Sequence, residues 1–296
     1  MEWFSLRSRI YGNVLLTLNA PYRTARKIKN MKITILGSGT STGVPEYKCE
    51  CETCEDARDV NSKNYRTRSS IHIEKDGKNL QFDLGPNFMD QIVRNRIDRI
   101  DAVIFTHSHA DHVSGTNDIV MPCRKQQMDM PIYGPEQTMN ILQRNFDYMF
   151  TKETFQGGGV GHLLPNVIDR DSRFELLGFE ITPIPVEHGN VDTYGYRIDN
   201  FGYVPDVKRL PKESQDLLNG IEVLVIDALS FNPRHPTHLS VGEALEISDA
   251  LKTKETYFTH IMHRLDHRYF PEQCKEMEIE LPDNAYLAYD GQVIQF

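Results

Sequence analysis

The stretch Thr106-His107-Ser108-His109-Ala110-Asp111-His112 follows directly on the apolar run Ala102-Val103-Ile104-Phe105. Three imidazoles and a carboxylate between His107 and His112 are costly to desolvate, so a fold that gathers them behind a buried strand must offset that cost. A divalent metal does so, because neutral imidazole nitrogens and ionised carboxylates are ligands that Zn²⁺ and similar ions accept. The step from His107 to His109 suits one ion. Asp111 and His112, pointing elsewhere on a tight loop, suit a second. The plainer alternative is a solvated His-rich loop or a helix start, which the strand immediately before it disfavours.

Composition narrows the field. At 296 residues the chain is long enough for one large domain or two small ones, and 39% hydrophobic with 25% charged residues reads as an ordinary globular protein. No stretch approaches the roughly 18 apolar residues of a membrane span. The net charge of −9 disfavours a dedicated nucleic-acid binder, although a small anionic substrate held by cations stays open. Five cysteines are an odd number, and three are grouped as Cys49-x-Cys51-x-x-Cys54. A disulfide framework is therefore disfavoured, and a reducing cytoplasm with thiolate ligands fits better. Three thiolates at this spacing match a structural zinc site lacking one ligand.

Residues 1–30 stand apart. Arg7, Arg9, Arg23, Arg26, Lys27 and Lys29 against Glu2 alone give this segment +5 and leave −14 for the rest. An Arg-rich, acid-poor segment could be a transit peptide or a membrane-surface helix, but the favoured reading is a loosely ordered extension before a single domain over 31–296. Met31-Lys32-Ile33-Thr34-Ile35-Leu36 reads as the domain's first strand. The following Gly37-Ser38-Gly39-Thr40-Ser41-Thr42-Gly43 has neither dinucleotide nor P-loop spacing, and serves as a turn or a close approach to a ligand. Ser69–Ile73 and Leu80–Leu84 alternate like a hairpin around Lys75-Asp76-Gly77-Lys78. Asp83 at its end could orient a ligating histidine or simply turn the chain. A helix is expected over Phe88–Arg96 and helical spacing over Gln137–Phe150; the glycines from Gly157 to Gly161, within a 151–165 loop, could form a lid or a surface excursion.

From residue 174 a rhythm appears, in which an apolar strand ends in a residue of metal-ligand type. Ile181–Val186 leads to His188, Phe201–Val204 to Asp206, Ile221–Ile226 to Asp227, and Thr256–Thr259 to His260. Taken singly, each could be a turn residue. Strand ends on one rim can converge on a single site, so as a series they complete a two-metal set.

The pattern H-x-H-x-D-H resembles the metallo-β-lactamase superfamily, which implies an α/β layered fold, an αββα sandwich with metals at one edge. Leu36-Gly37-Ser38-Gly39-Thr40 through Pro45 is similar to the opening of its phosphodiesterase branch, which includes tRNase Z, the PQQ-biosynthesis B protein and the PhnP-type phosphodiesterases. His188-Gly189, Tyr203-Val204-Pro205-Asp206, Thr237-His238-Leu239-Ser240 and Thr259-His260-Ile261-Met262-His263 resemble the PhnP-type (phosphoribosyl 1,2-cyclic phosphate phosphodiesterase) family in order and spacing, over roughly residues 31–296. That resemblance implies one metal on His107, His109, His188 and Asp206, and another on Asp111, His112, Asp206 and His260, with Asp206 bridging. It implies a structural zinc on Cys49, Cys51, Cys54 and His263, with His267 a competing fourth ligand.

The expected activity is two-metal hydrolysis of a small phosphodiester such as 5-phosphoribosyl 1,2-cyclic phosphate, with zinc or manganese at the pair. Asp111 and His238 are the expected catalytic residues. His238 would protonate the leaving oxygen or hold the phosphate, unless it merely caps the helix beginning near Ser240; His235 could contact substrate. A tRNA 3′-end endonuclease is disfavoured by the acidic body, and neither a nucleic-acid partner nor a membrane span is expected. A non-catalytic metal-bound carrier like the PQQ-biosynthesis protein, and a lactamase sharing the ligands, are the other readings. A homodimer is expected only because relatives form one.

Overall fold

The computed structural model describes residues 31–151, 161–231 and 235–295. The basic segment 1–30 and most of the glycine loop expected before His162 lie outside the described residues. One sheet contains β1 (Lys32–Gly37), β2 (Ser70–Lys75), β3 (Lys78–Phe82), β4 (Ala102–Ile104), β5 (Met130–Gly134), β6 (Leu163–Val167) and the C-terminal β14 (Val293–Gln295). Its order is β14-β1-β2-β3-β4-β5-β6. The other contains β7 (Phe174–Leu176), β8 (Phe179–Val186), β9 (Thr193–Ile198), β10 (Phe201–Val204), β11 (Val223–Asp227), β12 (Glu255–Thr259) and β13 (Ala285–Leu287), ordered β13-β12-β11-β10-β9-β8-β7. Each sheet has an antiparallel part and a parallel part, the change falling at β3 and at β10. The β2–β3 hairpin turns through Asp76 and Gly77, both at positive φ, as a two-residue Asp-Gly turn requires.

Side-chain alternation along these strands builds the layers, since successive residues point to opposite faces. In β10 and β11, Phe201, Tyr203, Val223 and Val225 enter the core between the sheets, together with Ile33, Ile35, Phe82 and Ile104 from the facing sheet. The alternate residues Val204, Leu224 and Ile226 point outward onto the helix Val241–Leu251 and its neighbours. Val103, Ile132 and Phe105 likewise meet the helices Phe88–Arg94 and Glu136–Asn145. Strands covered on both faces explain the nearly continuous apolar runs, and the result is the helix–sheet–sheet–helix sandwich expected from the resemblance. The helix expected to reach Phe150 ends at Asn145, and a 3₁₀ turn, Asp147–Met149, follows. Among the described residues no helix is long and apolar enough to cross a membrane.

The parallel parts position the site. β3 and β4 run the same way, as do β8, β10, β11 and β12, so Asp83, Thr106, His188, Asp206, Asp227 and His260 lie at or just beyond strand ends facing one rim.

Candidate metal centre

The loop after β4 is held before any ligand is considered. Asp83 sits at a positive φ of 57° and is fully buried. Its carboxylate accepts the Thr106 N–H at 2.8 Å and the Thr106 hydroxyl at 2.9 Å, and lies 2.8 Å from His112 Nδ1. That bond directs His112 Nε2 toward Asp111 and Asp206, so Asp83 acts on the histidine rather than only turning the chain. The Tyr196 hydroxyl fixes the strand end from the other sheet by donating to the Phe105 carbonyl. A short helix, Ala110–Val113, then carries Asp111 and His112, with the His112 ring 4.2 Å from that of His107.

Two donor sets meet at Asp206. His107, His109, His188 and Asp206 offer ligand atoms all within 4.8 Å of one another, as do Asp111, His112 and His260. Asp206 Oδ2 lies 3.8 Å from His107 Nε2, 3.5 Å from His188 Nε2 and 3.4 Å from His260 Nε2, while its Oδ1 lies 3.2 Å from His112 Nε2. One carboxylate therefore faces both groups. His188 is oriented by the Thr237 carbonyl, 2.8 Å from its Nδ1. His260 occupies a left-handed backbone conformation, φ 56°, at the end of β12, an unusual geometry of the kind that gathers at functional sites.

The electrostatics suit cations. Burial pushes His107 well below the ordinary imidazole value, lowers His109, and takes His188 down to about 4, which leaves neutral rings with lone pairs to offer. Burial opposes charge on His112 as well, but Asp206, Asp111 and Asp83 outweigh it and raise that group. Burial also raises Asp206 and Asp111, but the surrounding histidines more than compensate and hold both carboxylates below their usual range. His112 Nε2 and Asp206 Oδ1 are buried without a hydrogen-bond partner among the described residues. The neutral imidazoles of His107, His109 and His188, the two ionised carboxylates, and the buried His112 Nε2 and Asp206 Oδ1 atoms left unbonded fit a pair of divalent ions, one of which would replace the proton that the carboxylates favour on His112.

A second cluster lies behind the first. Cys49, Cys51, Cys54 and His263 bring their ligand atoms within 4.8 Å of one another, and the Cys49 and Cys51 sulfurs each lie 3.3 Å from His263 Nδ1. Tetrahedral zinc with ordinary bond lengths would separate sulfur and nitrogen by about 3.6 Å. Glu46 reaches the other nitrogen, His263 Nε2, at 2.9 Å. His267, the competing fourth ligand, turns away: its Nε2 lies 3.0 Å from the Ala288 carbonyl and its backbone N–H donates to Asn64. The buried Arg66 guanidinium donates to the Met262 and Leu265 carbonyls and so holds the segment that joins the clusters.

His238 stands against the pair. Its ring is 4.8 Å from that of His188 and stacks at 4.5 Å on that of His260, and its Nδ1 lies 2.8 Å from Asp227 Oδ2. It does not cap the following helix, a task performed by Ser240 and Glu243 as a capping box. Asp206, His238 and His260 form a third overlapping donor set, so proximity alone would also allow His238 to ligate. His235 is exposed, with its ring 5.1 Å from that of His238. The strand-end position of Asp227 was legible, but its service to His238 was not. The Thr237 carbonyl had no signal at all, because any residue carries one.

A sequence profile described as the beta-lactamase superfamily domain matches residues 78–261. The chain belongs to that superfamily. Within it, a solved structure described as a new diphosphatase from the PhnP family superimposes with a TM-score of 0.78 at 34% identity, covering 90% of this chain and 98% of that one. The coenzyme PQQ synthesis protein B of Methylobacterium radiotolerans is 30% identical over 72% of this chain and 77% of its own length. An octanoyltransferase of Porphyromonas gingivalis is 30% identical over 88% of this chain, which spans about half (51%) of that protein. The fold is thus that of the metallo-β-lactamase hydrolases, and PhnP and PqqB proteins are among its relatives.

Proposed function

We propose that this superfamily member is a two-metal phosphodiesterase acting on a small phosphodiester, cyclic or linear, with 5-phosphoribosyl 1,2-cyclic phosphate as the reference substrate. The observation that carries the reading is Asp206, whose single carboxylate faces two separate donor sets. In this proposal His107, His109, His188 and Asp206 hold one ion, while Asp111, His112, Asp206 and His260 hold the other. Zinc or manganese suits these ligands, and Cys49, Cys51, Cys54 and His263 hold a structural zinc. A divalent pair, when bound, supplies an acidified water and neutralises charge developing on the phosphoryl oxygens.

The chain's own residues supply the rest. Asp83 and the Thr237 carbonyl fix the tautomers of His112 and His188, so that each Nε2 points inward. Asp111 orients His112 and His260 from the opposite side. His238, held at Nδ1 by Asp227, presents Nε2 as the atom that would take a proton from the attacking water and pass it to the leaving oxygen. A cytoplasmic location is proposed from the five free cysteines.

The test is elemental analysis of the reconstituted protein together with a panel containing the cyclic ribosyl diester, an aryl phosphodiester, a precursor tRNA and a lactam. Turnover of the two small diesters alone supports the proposal. Cleavage of the tRNA or lactam instead would redirect it. Metal-loaded protein that turns over nothing would favour a carrier role, a reading prompted by the likeness to the PQQ synthesis protein.

A further inference from the structure

We propose that Arg68, with Ser41 and Asn87, forms a subsite for a second anionic group of the substrate, so that a phosphodiester bearing a further phosphate is preferred over a singly charged one. This rests on the phosphodiesterase reading. Arg68 is built into the rim. Gly39 bridges to Arg68 on one side and to Ile261, the neighbour of His260, on the other. Thr67 and Ser69 turn inward, to Asp290 and to the Gly39 carbonyl, which leaves the Arg68 side chain on the opposite face. Gly85 lies between the Arg68 Cβ and the Asp111 carbonyl. A Cβ on Gly85 would stand 2.2 Å from the Asp111 carbonyl oxygen and 3.3 Å from Arg68 Cβ, so the absence of a side chain there is what lets the arginine lie against the metal loop.

The guanidinium is held in place yet largely unspent. Nε donates to the Ser41 carbonyl at 3.0 Å and Nη1 to Asn87 Oδ1 at 3.2 Å. A guanidinium has five N–H donors, so three are left for a ligand, and no carboxylate pairs with Arg68 among the described residues. Among the described residues, three other cations near the rim are engaged. Lys208 pairs with Glu243, Arg209 with Glu187, and Arg66 is buried on backbone carbonyls. Around Arg68 the Ser41 and Thr42 side chains are exposed, and the Asn87 amide nitrogen adds a donor. A fixed, unpaired guanidinium ringed by neutral donors, in a chain of net charge −9, is matched to a phosphate dianion, which arginine can engage with two parallel bonds.

The test compares wild type with Arg68→Met and Arg68→Lys on two substrates. These are 5-phosphoribosyl 1,2-cyclic phosphate, which carries a second phosphate, and bis(p-nitrophenyl) phosphate, which does not. The ratio of kcat/KM for the first over the second is expected to fall about 10- to 100-fold in Arg68→Met, as expected for loss of a charge-assisted contact, and to be only partly restored by lysine. An unchanged ratio, including parallel losses on both substrates, would overturn the subsite. If wild type turns over neither compound, the phosphodiesterase reading fails by itself. The subsite is then read from binding of ribose 5-phosphate to metal-free protein by calorimetry. Binding at least tenfold weaker in Arg68→Met upholds it, and equal binding, or none to wild type, rejects it.

Discussion

His238 Nδ1 lies 2.8 Å from Asp227 Oδ2, an oxygen that also accepts the backbone N–H groups of Val207 and Leu239 at 3.1 and 3.4 Å. Because that oxygen is already an acceptor, the shared proton belongs to His238 Nδ1, and Nε2 is the atom left to meet substrate. His238→Ala is expected to lower kcat by about 10²- to 10⁴-fold with the metal content intact. Asp227→Asn should lower kcat in the same direction by freeing the ring to adopt the other tautomer. Steady-state kinetics beside elemental analysis checks both, and loss of an ion from His238→Ala would reassign that residue as a ligand.

Asp206 serves both donor sets, so its removal should loosen both ions at once. Asp206→Ala is expected to abolish turnover and reduce metal occupancy at each position of the pair. Replacing Asp111 should affect mainly the ion near His112 and His260. Metal stoichiometry of the two variants, measured side by side, distinguishes a shared carboxylate from an ordinary ligand. Near-normal activity in Asp206→Ala would end the bridging assignment.

The cysteine cluster packs with Val44 and Ala57 in a small satellite core rather than in the main ones. With so little apolar burial, metal binding there should contribute folding energy directly. Cys51→Ser is expected to lose one zinc per chain and to lower Tm by more than it lowers the chemical rate of the protein that remains folded. Unchanged melting and unchanged zinc would rule out the structural site.

Asp290 retains some exposed surface, but its carboxylate is enclosed by four donors, Ser38 N and Oγ and Thr67 N and Oγ1, at 2.6–2.9 Å. Burial pushes its pKa up to about 6 all the same. Its unfolded value is about 3.9, so between these pH values the folded chain keeps a proton that the unfolded chain has released. The stability this adds is complete below about pH 4 and is lost as pH rises through about 6. Asp290→Asn removes the titration, so the Tm gap between wild type and variant should be widest near the acid end of that window and narrow toward neutrality. A gap independent of pH would contradict the assignment.

The strands were legible because apolar runs such as Phe201–Val204 and Val223–Asp227 are local features of the chain, while the layered sandwich was expected from the family resemblance that the H-x-H-x-D-H pattern carries. The same holds for His107, His109, Asp111 and His112, whose spacing is local. Other features have no local code. The proximity of Asp206 to His107, His112, His188 and His260, the choice of His263 over His267, and the Asp227–His238 bond each depend on how segments tens to hundreds of residues apart converge. His260 and His263 show the difference most plainly, since a left-handed turn at His260 sends neighbouring side chains to separate clusters. The sequence by itself determined the strands and the residue types at their ends, and through its family resemblance the sandwich. Which atoms face which was decided only by tertiary structure, because directions at a strand end are set by the packing of two sheets and not by the order of residues along one.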